Sequence, residues 1–255
     1  MSKRHGTKEF WLAGLRAEGA AFRAAVGQDG ALELPVPSCP QWTVEGLVGH
    51  LASIYWFVAG HAGRGVTTPP ERAPAGGGDK PTGAAALAFF DEQYARLFTL
   101  LDGLDPALPA WNWAPQPKKA EFWHRRMAHE TAVHRWDAQM AVGLSEPIEA
   151  KLASDGITEV IDTWLPAGRR KGPSDRHGVV ALRAIDVEEV WDVRLRGEGV
   201  ALLDTDTLFD DDDHHERAIA TGTASDLLLA LYGRVNFDVL EVAGDESLLQ
   251  ALRTG

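Results

Sequence analysis

The chain has 255 residues, 45% of them hydrophobic, and a formal net charge of −12. That length can bury a full core as one large domain or two small ones, and the acidic balance argues against a nucleic-acid partner, because phosphate binding requires a basic surface. The single cysteine, Cys39, leaves no intrachain disulfide, no apolar run approaches the roughly 18 residues of a membrane span, and the charged first residues lack an apolar signal core, so a cytoplasmic protein with no membrane partner is expected.

In chain order, Lys8–Val26 reads as a first helix, with Phe10, Leu12, Leu15, Phe22 and Val26 as its apolar positions. Residues 28–41 form a connection broken by Gly30, Pro35, Pro37 and Pro40. Thr43 is a good N-cap for a second helix over 43–63, and Glu45 suits the positive end of its dipole. Leu47, Leu51, Ile54, Tyr55 and Val58 make its apolar face, and His50 falls on that face. The Pro- and Gly-rich loop 63–83 reads as a surface connection, with a lid as the alternative. A third helix over 83–101 carries Leu87, Phe90, Tyr94, Leu97 and Leu101 on one stripe. Another Pro-broken connection, 103–119, holds Trp111 and Trp113.

The fourth helix, 122–142, holds the most informative pair. Glu130 and His134 stand at i and i+4, a spacing that places both side chains on one face about 5–6 Å apart. One carboxylate and one imidazole in that arrangement can grip one metal ion, and so can also form a plain ion pair. Catalytic sites usually supply three protein ligands and keep a position open. His50 is the best third candidate, because an unpaired imidazole on an apolar helix face is costly. His129 points about 100° around the helix from Glu130 and is left out of the set. Arg126, four before Glu130, and Asp137, three after His134, either orient the ligands or form a helix-surface network with Glu130 and Arg135. Cys39 reads as a small apolar residue rather than a catalytic thiol.

A fifth helix over 150–165 ends at Pro166 and Gly168. The periodicity then becomes alternating over 179–187 and 190–203, as in half-buried strands. The acidic run 204–216, with His214 and His215, reads as a solvated turn. A strand over 217–221 follows, then a capping box Thr223–Asp226 before a short helix 227–232, a strand 240–243 and a closing helix capped by Asp245. The expected organisation is therefore α+β: a helical bundle over residues 1–148 and a small α+β domain over 149–255.

The run Cys39-Pro40-Gln41-Trp42-Thr43-Val44, with His50 inside Leu47-Val48-Gly49-His50-Leu51, and the downstream run Arg126–Asp137 together resemble the mycothiol-dependent maleylpyruvate isomerase family. The tail from Gly222 to Arg234 resembles the same family's C-terminal signature. The resemblance implies a DinB-like four-helix bundle followed by the family's small α+β domain. It implies His50, Glu130 and His134 as metal ligands and Arg234 as a catalytic residue. It implies mycothiol as cofactor or cosubstrate, and a small-molecule thiol and a small electrophilic substrate as partners.

Two imidazoles and one carboxylate suit Zn²⁺, with Ni²⁺, Fe²⁺, Mn²⁺ and Co²⁺ also open. A thiol in the remaining position would lose its proton to give a thiolate, the reagent of a thiol-dependent isomerase or S-transferase. A water there would instead make a hydrolase. A non-catalytic, metal-stabilised binding protein is the third reading.

Overall fold

A threonine side chain opens each of the first two helices. Thr7 accepts a hydrogen bond from the Phe10 amide at the start of α1 (Lys8–Val26), and Thr43 accepts one from the Gly46 amide at the start of α2 (Val44–His61). Each bond satisfies a backbone donor that the helix itself leaves without a partner. The computed structural model describes residues 6–71, 81–203 and 216–254. The chain divides into two compact units, Gly6–Glu146 and the residues from Pro147 onward. The centre of the loop 63–83 and the acidic run with His214 and His215 lie outside the described residues.

The first unit is a four-helix bundle completed by α3 (Ala84–Gly103) and α4 (Glu121–Ala141). Glu45, in the first turn of α2, accepts a hydrogen bond at 2.6 Å from the amide of Gly83, whose φ of 57° suits a residue without Cβ at the start of α3. α1 packs chiefly on α4 and α2 on α3, with α2 also meeting α4. The core takes Trp11, Leu15 and Phe22 from α1, Leu47, Leu51, Tyr55 and Val58 from α2, Phe90, Leu97 and Leu101 from α3, and Met127, Ala128 and Ala132 from α4. Burying each large side chain of this set contributes roughly 1.5–3 kcal/mol. Within the bundle, Tyr55 Oη and Thr131 Oγ1 meet at 2.6 Å, both buried, and fix the register of α2 against α4. The packing of α2 on α4 matters most for the site, because it sets His50 of α2 opposite the middle of α4.

The second unit is α+β. Its sheet has the order β3-β2-β1-β4-β5, with β1 (His177–Ala184), β2 (Glu189–Arg196), β3 (Gly199–Leu202), β4 (Arg217–Gly222) and β5 (Glu241–Gly244). β1 pairs antiparallel with β2, where Leu182 faces Trp191, and parallel with β4, where Val180 faces Ala218. Val180, Leu182, Trp191, Val193 and Leu195 are buried at alternate positions. The helices of this unit are α5 (Ala150–Glu159), α6 (Ala224–Leu231) and the short α7 (Glu246–Gln250). α5 and α6 pack on each other, and the indole N–H of Trp191 donates to Thr158 of α5 at 2.9 Å.

Beyond shifted element ends, such as β1 closing at Ala184 rather than at 187, two elements break where the sequence reading ran straight on. The stretch 190–203 is not one strand: Gly197, with φ 64°, turns the chain so that Val193 of β2 pairs with Leu202 of β3. The fifth helix is α-helical only to Glu159, and Val160–Trp164 continues as a π-helical turn in which the Leu165 amide reaches the Val160 carbonyl at 3.0 Å. No helix among the described residues is long and apolar enough to cross a membrane.

Candidate metal centre

Glu130 and His134 lie on one face of α4, and α2 delivers His50 to the same place. Glu130 Oε1 is 3.4 Å from His50 Nε2 and 3.3 Å from His134 Nε2. One potential ligand atom from each of the three residues lies within 4.8 Å of the other two. Ligand bonds of about 2.0–2.1 Å in a tetrahedral array place ligand atoms about 3.3 Å apart, which matches both contacts of Glu130 Oε1. The donor set and its spacing therefore fit one divalent ion. His50, read from the sequence as lying on the apolar face of α2, stands at its edge. Leu47 and Leu51 beside it are fully buried, whereas the His50 side chain is 32% exposed at the margin of the apolar face. That exposure gives the cluster an open side.

The groups behind the three candidate ligands are ordered. Arg126 Nη2 donates to Glu130 Oε2 at 2.8 Å, leaving Oε1 to the two imidazoles. His134 Nδ1 donates to Asp137 Oδ2 at 2.8 Å, which leaves Nε2 facing Glu130 as the candidate ligand atom. Asp137 is fully buried, and its Oδ1 accepts a hydrogen bond from Ser38 at 2.5 Å. Arg126 and Asp137 thus both lie on the cluster, each against one ligand. Of the helix-surface network considered for these residues, the Arg126–Glu130 pair forms, but not at the surface. Arg126, Arg135 and Asp137 are buried, and Arg135 engages Glu18, Gln139 and the Glu146 carbonyl. His129 is buried and stands outside the ligand set.

The electrostatics follow from those partners. Burial pushes the Glu130 carboxyl up, but hydrogen bonds to His134 and His50 and the Arg126 charge outweigh it, so the group is held well below the usual carboxylate range. Burial pushes the His134 imidazole down, but Asp137 and Glu130 overcome that and hold it up at about 9.

Two residues at this centre were not singled out from the sequence. Trp42 packs its ring against His50, with centroids 4.6 Å apart, and stands 6.4 Å from the ring of His134. His50 and His134 meet edge to face at 5.0 Å. Ser38 reaches Asp137 from the same loop. That loop is closed on itself by hydrogen bonds from the Val36 amide to the Trp42 carbonyl and from the Val44 amide to the Leu34 carbonyl. Trp42 carried a signal in its place just before the N-cap of the helix that bears His50. Ser38 carried none, being a small polar residue between prolines. Cys39, in the same loop, is half-buried.

Arg234 belongs to the second unit. Past the end of α6, Gly233, φ 69°, closes the helix, with the Arg234 amide on the Leu229 carbonyl and the Gly233 amide on the Ala230 carbonyl, a Schellman-type cap. The half-buried Arg234 side chain donates to the Tyr232 carbonyl at 3.0 Å.

Comparison with known proteins is consistent across the chain. Residues 12–139 match the family model of the mycothiol maleylpyruvate isomerase N-terminal domain, and residues 151–251 match that of the C-terminal domain of the same family. No curated protein matches the chain. Among solved structures, a mycothiol-dependent maleylpyruvate isomerase is similar at a TM-score of 0.63 and 14% identity, covering 93% of each chain. A single-residue mutant of a mycothiol-dependent maleylpyruvate isomerase is similar at a TM-score of 0.62 and 13% identity, with the same coverage. At that identity the structures speak to the fold alone.

Proposed function

The chain belongs to the mycothiol maleylpyruvate isomerase family, and from that premise we propose that it is a metal- and thiol-dependent isomerase of a small, electrophilic, carboxylated substrate. The observation that carries the reading is the convergence of His50, Glu130 and His134, with Glu130 Oε1 within 3.4 Å of both imidazole nitrogens. A divalent ion held by these residues, Zn²⁺ being best suited to two imidazoles and a carboxylate, would supply a Lewis acid able to lower the pKa of a bound thiol. The thiol, for which mycothiol is the family's reagent, supplies reversible conjugate addition, which turns a cis double bond into a rotatable single bond and releases the trans isomer.

The residues of the chain do the rest. His50, Glu130 and His134 would hold the ion and leave the exposed side of His50 as the approach. Asp137 keeps His134 in its ligating tautomer, and Arg126 keeps one Glu130 oxygen occupied so that the other faces the imidazoles. Trp42 packs its ring against one flank of His50. Arg234 is proposed to bind the substrate carboxylate in fork geometry and to stabilise negative charge as it develops. Cis-to-trans turnover of a maleate-type substrate that requires both the ion and mycothiol supports this function. Turnover of an ester or amide by the metal-loaded protein without any thiol would replace it with hydrolysis.

A further inference from the structure

Resting on the metal reading above, we propose that Ser38 is a positioning residue of the metal centre, acting on His134 through Asp137. A ligating imidazole turns freely about its χ2 unless its second nitrogen is tied down. Here the tie is Asp137, three residues on in the same helix, at 2.8 Å from His134 Nδ1. A carboxylate can itself rotate, and only a donor on its other oxygen fixes the plane in which it receives the imidazole N–H. Ser38 is such a donor, reaching Asp137 Oδ1 across a separation of 99 residues at 2.5 Å. Hydrogen bonds to charged acceptors are roughly twice as strong as neutral ones, and this one is removed from bulk water on the Asp137 side.

The loop that brings Ser38 has no freedom to place it casually. The Val36–Trp42 and Leu34–Val44 backbone hydrogen bonds close it into a small hairpin, and Pro35 and Thr43 form a bridge beside them. Its other end carries Trp42, whose ring lies against His50. One loop therefore touches the cluster twice, behind His134 through Ser38 and beside His50 through Trp42. The sequence between them, Cys39-Pro40-Gln41, spans the gap in a tight turn with the Trp42 amide on the Cys39 carbonyl at 2.8 Å.

The test is Zn²⁺ affinity measured by competition with a chromophoric chelator, alongside the absorption spectrum of the Co²⁺-substituted protein. Ser38→Ala is expected to weaken binding about 10-fold and to shift the Co²⁺ spectrum, the lower end of what loss of an outer partner costs. Ser38→Thr, which keeps the hydroxyl, restores both. In an Asp137→Asn background, Ser38→Ala adds little, because the residue it acts through is already altered. Wild-type affinity and spectrum in Ser38→Ala overturn the proposal. So does a loss of affinity that is additive with Asp137→Asn or that Ser38→Thr does not rescue, since both mark a loop that merely supports the fold. His50→Ala separates this from failure of the metal reading itself. If wild type and His50→Ala bind Zn²⁺ equally, the centre is not at these residues and Ser38 falls with it. If only Ser38→Ala matches wild type, Ser38 alone is wrong.

Discussion

His134 shows how much a single residue takes from its neighbours. Unfolded, it titrates near the ordinary 6.5, and folded without an ion it is held at about 9 by Asp137 and Glu130 despite its burial. A raised pKa stabilises the fold fully below the unfolded value and loses that contribution as pH rises through the folded one. The chelated protein should therefore lose thermal stability between about pH 6.5 and 9, and Asp137→Asn should flatten that slope. In the Zn²⁺-loaded protein the ion would take the place of the Nε2 proton of His134, so its melting temperature should not fall over the same window. Melting curves of chelated and loaded protein across that range check both statements. The residues at this centre were unequally legible. Glu130, His134, Arg126 and Asp137 share one helix, where spacing alone places them on neighbouring faces. His50 needed a judgement about apolar faces, and its partial exposure shows that the face was read slightly too wide. Ser38 and Trp42 come from a connection, and no periodicity links residue 38 to residue 137.

Among the elements, α2 and α4 carry the site, and their register depends on the Tyr55–Thr131 contact. Thr131 Oγ1 also donates to the Met127 carbonyl at 2.7 Å, so Tyr55 is the donor to Thr131. Thr131→Val strands a buried phenol hydroxyl and should cost about 1–3 kcal/mol, whereas Tyr55→Phe removes the donor and should cost about 1 kcal/mol. Both changes should weaken Zn²⁺ binding as well, because they loosen the element that holds His50 against Glu130. Denaturant melts with chelator titration test the order; equal or inverted costs would mean that the hydrogen bond does not set the register. α1, α2 and α3 were readable from apolar stripes, and α2 also from its N-cap Thr43. α4 was harder, because it is buried nearly all round and its charged residues sit where an amphipathic helix would be apolar. The turn at Gly197 was missed because alternation runs straight through it on both sides, and the π turn after Glu159 preserves the apolar spacing that suggested one helix.

At the scale of the whole molecule, the helical bundle and the α+β unit both match one family. The bundle offers a candidate ion site, and the second unit offers Arg234 at the end of α6. If Arg234 stabilises charge on the substrate, Arg234→Ala should keep its metal content, its thiol affinity and its melting temperature, yet lose turnover by about 10²-fold or more. Loss of melting temperature with turnover intact would assign Arg234 to folding alone. The reading that a thiol meets a metal ion held by His50, Glu130 and His134 is tested most directly by adding mycothiol to the Co²⁺-substituted protein and recording its absorption. The expected result is a thiolate-to-cobalt charge-transfer band in wild type that is lost, together with the ion, in His50→Ala. A Co²⁺ protein that shows no such band at saturating thiol, or a His50→Ala variant that keeps both ion and band, would contradict it.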